Sequence, residues 1–234
     1  MGVRRLIAVG ASVGGNRAIE SLLMRLPADT PPILIVQHTL PDFTGRFASR
    51  LNEVSPMRVV EATDGQVIVP GAAYIAPWHA HLTVTQLPHG LHTALIRTPR
   101  VQFHRPSVDA LFLSLVGLRD VDVVAVILTG MGRDGAEGML ALRRSGARTI
   151  VQDEKSSMVF GMPKEAIERG AAEQVSSLDE LPQRILRLVL QGAGKRTAAG
   201  VKRRRPEGDL GIERAISRRR DATLPSGRHT RRTS

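Results

Sequence analysis

A chain of 234 residues, 42% of them apolar, is long enough for one well-buried core plus an appendage, and its lack of cysteine excludes disulfides, thiolate metal sites and a cysteine nucleophile. The formal charge of +11 is uneven: residues 195–234 hold 13 Lys+Arg against 4 Asp+Glu, a net of +9, which leaves +2 for residues 1–194. The high isoelectric point therefore belongs to a tail, and composition gives the body no basic binding face.

The N-terminal MGVRRLIAVGAS has an apolar run that stops at a glycine turn. That is too short for a signal h-region or a membrane span, so a cytoplasmic chain without membrane insertion is expected. Short apolar, β-branched runs then recur: RLIAVG, PILIVQH, MRVVEA, AAYIAP, DVVAVILTG and RTIVQ. Several are continuously apolar, as strands buried on both faces are. Between many of them lie amphipathic stretches of helical length at 16–26, 44–51, 108–118 and 136–145. This alternation predicts an α/β fold: a doubly wound, mostly parallel sheet with helices on both faces. One interval differs, because HLTVTQLPHGLHTALIRT alternates at period two around Pro-His-Gly and predicts an antiparallel hairpin.

Near the end, SSLDELPQRILRLVLQG offers Ser177 or Asp179 as helix N-cap and Gly192 as a stop. The folded domain is expected to span 1–192. Residues 193–234, with Arg runs and few large apolar side chains, cannot bury enough surface to offset ordering entropy and read as a disordered basic tail. Such a tail is either a tether to nucleic acid, anionic lipid or an acidic protein, or merely a solvated extension.

In an open parallel sheet, reactive groups belong beyond the carboxyl ends of the strands. Three candidates leave such ends: Ser12 after LIAVGA, His38 after ILIVQ, and Asp134 after VVAVILTGMGR. Gly10-Ala11-Ser12-Val13-Gly14 fits G-x-S-x-G, whose small flanks permit a sharp turn that projects a hydroxyl. The same glycines could cradle a phosphate or form a purely structural turn, although neither G-x-G-x-x-G nor a P-loop Lys is present. A serine needs a base and the base an orienting group, roles open to His38 and Asp134. His38 could instead be structural, and Asp134 a cap for the following helix. The turn TGMGRDG supplies free backbone N–H groups, and that of Met131 is the candidate oxyanion donor. The remaining histidines give no metal-like spacing, so neither zinc nor any cofactor is expected.

Six segments, IAVGASVGG, VQHTLPDFTGRFASRLN, AYIAP, FHRPSVDALF, VILTGMGRDGAEGM and VFGMPKEAI, resemble in order and spacing the catalytic domain of the chemotaxis protein-glutamate methylesterases (CheB). The resemblance runs from about residue 5 to 189. It implies a serine hydrolase that removes methyl esters from glutamates on the cytoplasmic helices of methyl-accepting chemoreceptors and often deamidates receptor glutamines. It also implies Ser12 as nucleophile, His38 as base and later acid, Asp134 as the group that orients the imidazole, and Met131 as an oxyanion contributor. Val13, QHTLP and Trp78-His79 depart from the family's usual residues, and the first two, beside the proposed site, bear on substrate fit. Family members usually carry a receiver domain before this one, whereas this chain begins at the first strand, so control is expected to be absent or to come from a separate regulator. A non-catalytic signalling module of the same fold is the alternative.

Overall fold

A computed structural model describes residues 3–191. In chain order its strands are β1 (Arg5–Ala11), β2 (Ile33–Gln37), β3 (Arg58–Glu61), β4 (Ala72–Ile75), β5 (His81–Leu87), β6 (Gly90–Ile96), β7 (Asp122–Ile127), β8 (Arg148–Gln152) and β9 (Gln174–Ser176). Its helices are α1 (Gly15–Leu23), α2 (Thr44–Val54), α3 (Val108–Leu115), α4 (Ala136–Arg144), α5 (Met162–Glu168) and α6 (Leu181–Gln191). Seven strands form one sheet in the order β3-β4-β2-β1-β7-β8-β9, and every pairing in it is parallel. The period-two interval forms the hairpin β5–β6 as a separate two-stranded sheet.

Continuous apolar runs follow from burial on both faces. In β1, Leu6 and Ala8 enter one core while Ile7 and Val9 enter the other. Each large aliphatic side chain buried in this way contributes about 1.5–3 kcal/mol relative to exposure, so a polar residue on either face would be costly. The first core is closed by α3, α4, α5 and the hairpin, through Phe112, Met139, Met162 and Leu82. The second is closed by α1, α2 and α6, through Ile19, Phe47 and Ile185.

Two elements were not expected from the sequence. The seven-residue α5 and three-residue β9 are too short to show a period, and tertiary contact with the sheet edge defines them. Asp179 does not cap α6 but pairs with Arg25 at 2.8 Å, while Ser177 Oγ accepts from the Glu180 N–H at 3.4 Å. The basic tail lies outside the described residues. Among those residues no helix is long and apolar enough to cross a membrane.

β1 sits centrally, with β2 on one side and β7 on the other. The chain leaves β1 for α1, on the second core, and leaves β7 for α4, on the first. Where neighbouring connections depart to opposite faces, a crevice opens at the carboxyl ends of the strands.

Candidate active site

Ser12 lies in this crevice, one residue beyond β1. Its N–H donates to Thr129 O (3.0 Å), and its carbonyl accepts from Gly15 N–H and Gln37 Nε2, both at 2.8 Å. Gly14, at φ 80°, completes the turn in a left-handed conformation that a side chain would resist. Gly130 is required for a different reason: a Cβ there would stand 2.8 Å from Ser12 Cβ and 2.3 Å from Met162 Sδ. Only a glycine lets the loop after β7 come this close to the serine.

β1 and β2 pair in register through Ala11 and Gln37, and His38 N–H continues the ladder to Ala11 O at 3.0 Å. Ser12 and His38 therefore emerge side by side. The His38 Nε2 lies 2.8 Å from Asp134 Oδ2, whereas its buried Nδ1 has no hydrogen-bond partner among the described residues. A carboxylate against Nε2 favours the tautomer with the proton on that nitrogen, which leaves the Nδ1 lone pair as the basic position. The Ser12 hydroxyl makes no hydrogen bond among the described residues, and such bonds often tighten only when substrate is bound.

Asp134 is 2% exposed and bonded on both oxygens. Beside His38 it accepts from Ser107 Oγ (2.8 Å), Val108 N–H (2.8 Å) and Asp109 N–H (3.0 Å). It caps a helix, but α3 rather than the α4 that follows it. Burial opposes its charge, yet the His38 hydrogen bond and charge and the α3 N–H groups outweigh burial and lower its pKa. Asp109 returns the arrangement: from the first turn of α3 it accepts the Gly138 N–H of α4 at 2.7 Å. Its carboxyl is pushed up to about 7, first by burial and then by the charge of Asp134. Each of the two helices thus begins on a carboxylate from the other's neighbourhood.

His104 stacks on His38 with ring centroids 3.7 Å apart and planes 6° from parallel. Burial lowers its pKa, the proximity of His38 lowers it further, and Arg100 adds to the effect against the pull of Asp134. It is presented by a tight turn in which Val101 and His104 exchange both backbone hydrogen bonds (3.0 and 2.8 Å). The turn's central residues, Gln102 and Phe103, have φ of 48° and 67°. Positive φ costs an ordinary L-residue about 1–2 kcal/mol, and Gly or Asn would normally stand there.

The Met131 N–H, on the loop after β7, donates to no backbone carbonyl among the described residues, and its side chain is exposed. Gly130, one residue earlier, is the point at which that loop touches Ser12. A cleft of about 150 Å³ beside His38 is lined by Trp78, Arg100, Phe103 and His104. A larger cavity of about 310 Å³ lies at the opposite edge, by Arg4, Asp122 and Ser145. The topology favours the carboxyl ends, so the smaller cleft, which His38 lines and Ser12 does not, is the one that borders the candidate site.

Ser107, Asp109 and His104 were not singled out by sequence reasoning, although all three lie within FHRPSVDALF. Gln37 and Gln152 were also missed. Each sits at a strand's end, and Gln152 Oε1 accepts the Thr129 N–H at 2.8 Å to hold the second loop. A buried amide closing an apolar strand is the signal that could have found them. His79 and His81 do not act together: His79 lies in the turn before β5, while His81 accepts the Ser107 N–H at 3.1 Å and steadies the start of α3.

Residues 7–185 match the family model of the CheB methylesterase. A protein-glutamate methylesterase/protein-glutamine glutaminase of Methylobacillus flagellatus is 48% identical over 191 residues, covering 82% of this chain and 54% of that protein. A protein of the same name from Nitrosomonas europaea is 49% identical over 192 residues, covering 82% and 53%. The chain spans about half the length of the curated relatives it matches. The crystal structure of the Thermotoga maritima CheB methylesterase catalytic domain superposes with a TM-score of 0.77 at 35% identity, covering 81% of this chain and all of that one.

Proposed function

Because the chain belongs to the CheB methylesterase family, we propose that it is a serine hydrolase that removes methyl esters from glutamate side chains of methyl-accepting chemoreceptors. Deamidation of receptor glutamines is proposed as its second activity. The observation that carries this reading is the His38–Asp134 contact of 2.8 Å, with Nδ1 unpartnered among the described residues and Ser12 and His38 leaving the ends of paired strands.

In the proposed reaction Ser12 Oγ passes its proton to His38 Nδ1 and attacks the γ-ester carbonyl. Asp134 stabilises the imidazolium, and the Met131 N–H meets the oxyanion; one such donor is typically worth about 10²–10³ in rate. His38 then protonates the departing methoxide, methanol leaves, and a glutamyl ester of Ser12 remains. Water, deprotonated by His38, attacks that ester, and the proton returns to Ser12 as free glutamate forms. With glutamine the first leaving group is ammonia.

The proposed setting is the cytoplasm, with receptor signalling helices as substrate and a separate regulator as the source of control. Residues 193–234 are proposed to tether the enzyme to an acidic partner or nucleic acid. The test is methanol release from a methyl-esterified receptor fragment by the native chain and by Ser12→Ala. Release that is lost in the variant supports the reading. Release by both removes Ser12 from the role, and release by neither favours a non-catalytic module.

A further inference from the structure

Phe103 is 87% exposed, more than any other large apolar residue described, and a backbone of positive φ holds it there. Strain retained to keep an aromatic ring in water points to a partner for that ring. Trp78, the chain's single tryptophan, lines the same cleft. Arg100 and Arg105 complete its wall, both exposed.

One wall of this cleft, from the segment that carries Trp78, Arg100, Phe103 and Arg105, is free of carboxylates, while exposed Asp42 follows Pro41 on the other wall and Asp134 bonds to His38. No Asp or Glu occurs between Asp64 and Asp109. None of the ion pairs among the described residues uses Arg97, Arg100, Arg105 or Arg133. Arg100 acts on the site itself, since its charge helps lower the pKa of His104 against His38. Two arginines without an ion pair among the described residues, Arg100 and Arg105, therefore line the cleft beside His38.

We infer that this cleft is a docking subsite that selects an acidic polypeptide segment, placing an ester flanked by carboxylates at Ser12. An apolar side chain of the segment lies between Phe103 and Trp78, and neighbouring carboxylates meet Arg100 and Arg105. The assignment rests on the esterase reading for the identity of the reacting group. Its recognition chemistry rests on the cleft.

The experiment uses the full chain with Ser12→Ala, so that bound ester persists, and reads the fluorescence of Trp78. Two peptides share one glutamyl methyl ester; one carries glutamates around it, the other glutamines. The signal reports the cleft, not acidic peptide adsorbed on residues 193–234. Binding of the acidic peptide is expected to be about tenfold tighter at low salt, as two modest Arg–carboxylate contacts allow, with the preference shrinking as salt is added. Arg100→Glu/Arg105→Glu is expected to reverse the preference, and Phe103→Ser to weaken both peptides. A charge reversal on remote α6, Arg187→Glu, is expected to keep the preference. Equal affinity for the two peptides, or a preference that survives the double reversal, overturns the subsite. Methanol release by the native chain separates the two readings. Acid-selective binding without methanol sinks the esterase and leaves the subsite, whereas equal release from both peptides does the opposite.

Discussion

The two sides of the His38 ring have opposite surroundings. Its Nε2 faces a carboxylate that is 2% exposed and accepts three further hydrogen bonds from the start of α3. Its stacked face borders a positive-φ turn that carries an exposed aromatic residue. On the proposed reading, orientation of the base falls to a dry, fully bonded region, and contact with substrate to a strained, wet one. Such a division would let the 101–104 turn change without disturbing the tautomer that the proposed reaction needs.

The strongest way to break this comparison is on the dry side. Asp134→Asn presents an amide that favours the wrong His38 tautomer, and kcat for the proposed methyl-ester hydrolysis should fall by about 10⁴-fold, as the same change does in a Ser-His-Asp protease. The same change weakens the seat of α3, so thermal unfolding should also shift down. On the wet side, His104→Ala leaves Asp134 untouched but frees one face of the ring. A misplaced base costs up to about 10²-fold, so kcat should fall by less than that while the melting temperature hardly moves. An equal loss of activity in the two variants would erase the distinction.

Smaller effects sharpen it. Ser107→Ala removes the α3 cap and one Asp134 donor, and should cost about 1–2 kcal/mol of stability in denaturant titrations. Asp109 should be visible through pH. Its carboxyl is raised from 3.8 to about 7, so between those values the folded chain keeps a proton that the unfolded chain has released. Stability from this group therefore falls as pH rises across that window and levels off above it. Asp134, with its lowered pKa, acts in the other direction and loses its contribution as pH falls through that value. Asp109→Asn keeps an acceptor for Gly138 and removes only the first slope. The variant should match the native chain near about pH 4 and exceed it near about pH 8. Least of all, Phe103→Gly relieves positive φ but loosens the unfolded chain, and the two should cancel to within about 1 kcal/mol.

The central strands were legible because burial on both faces demands uninterrupted apolar runs, as in ILIV of β2 and VVAVI of β7. The hairpin was legible because β5 and β6 alternate, and Ser12, His38 and Asp134 because each follows a strand. The supporting residues were not, since their roles arise only where remote elements meet. Asp134 looked like a cap for α4, and nothing local to it says that α3 arrives instead. His104 could not be assigned to His38 without the 101–104 turn, which breaks the usual residue preference. α1 also ends at Leu23, earlier than its apolar pattern, because Met24 to Leu26 tighten into turns that bury Leu26.

The crevice is also a seam. Ser12 and His38 belong to β1 and β2, while Asp134 and Met131 arrive by way of β7 on the far side of β1. Neither half of the sheet holds a complete site. A chain whose strands had formed but whose β1–β7 ladder remained open would leave Ser12 and His38 apart from Asp134 and Met131. If the chain turns over esters as proposed, that turnover doubles as an assembly gauge, reporting whether the two halves have zipped together.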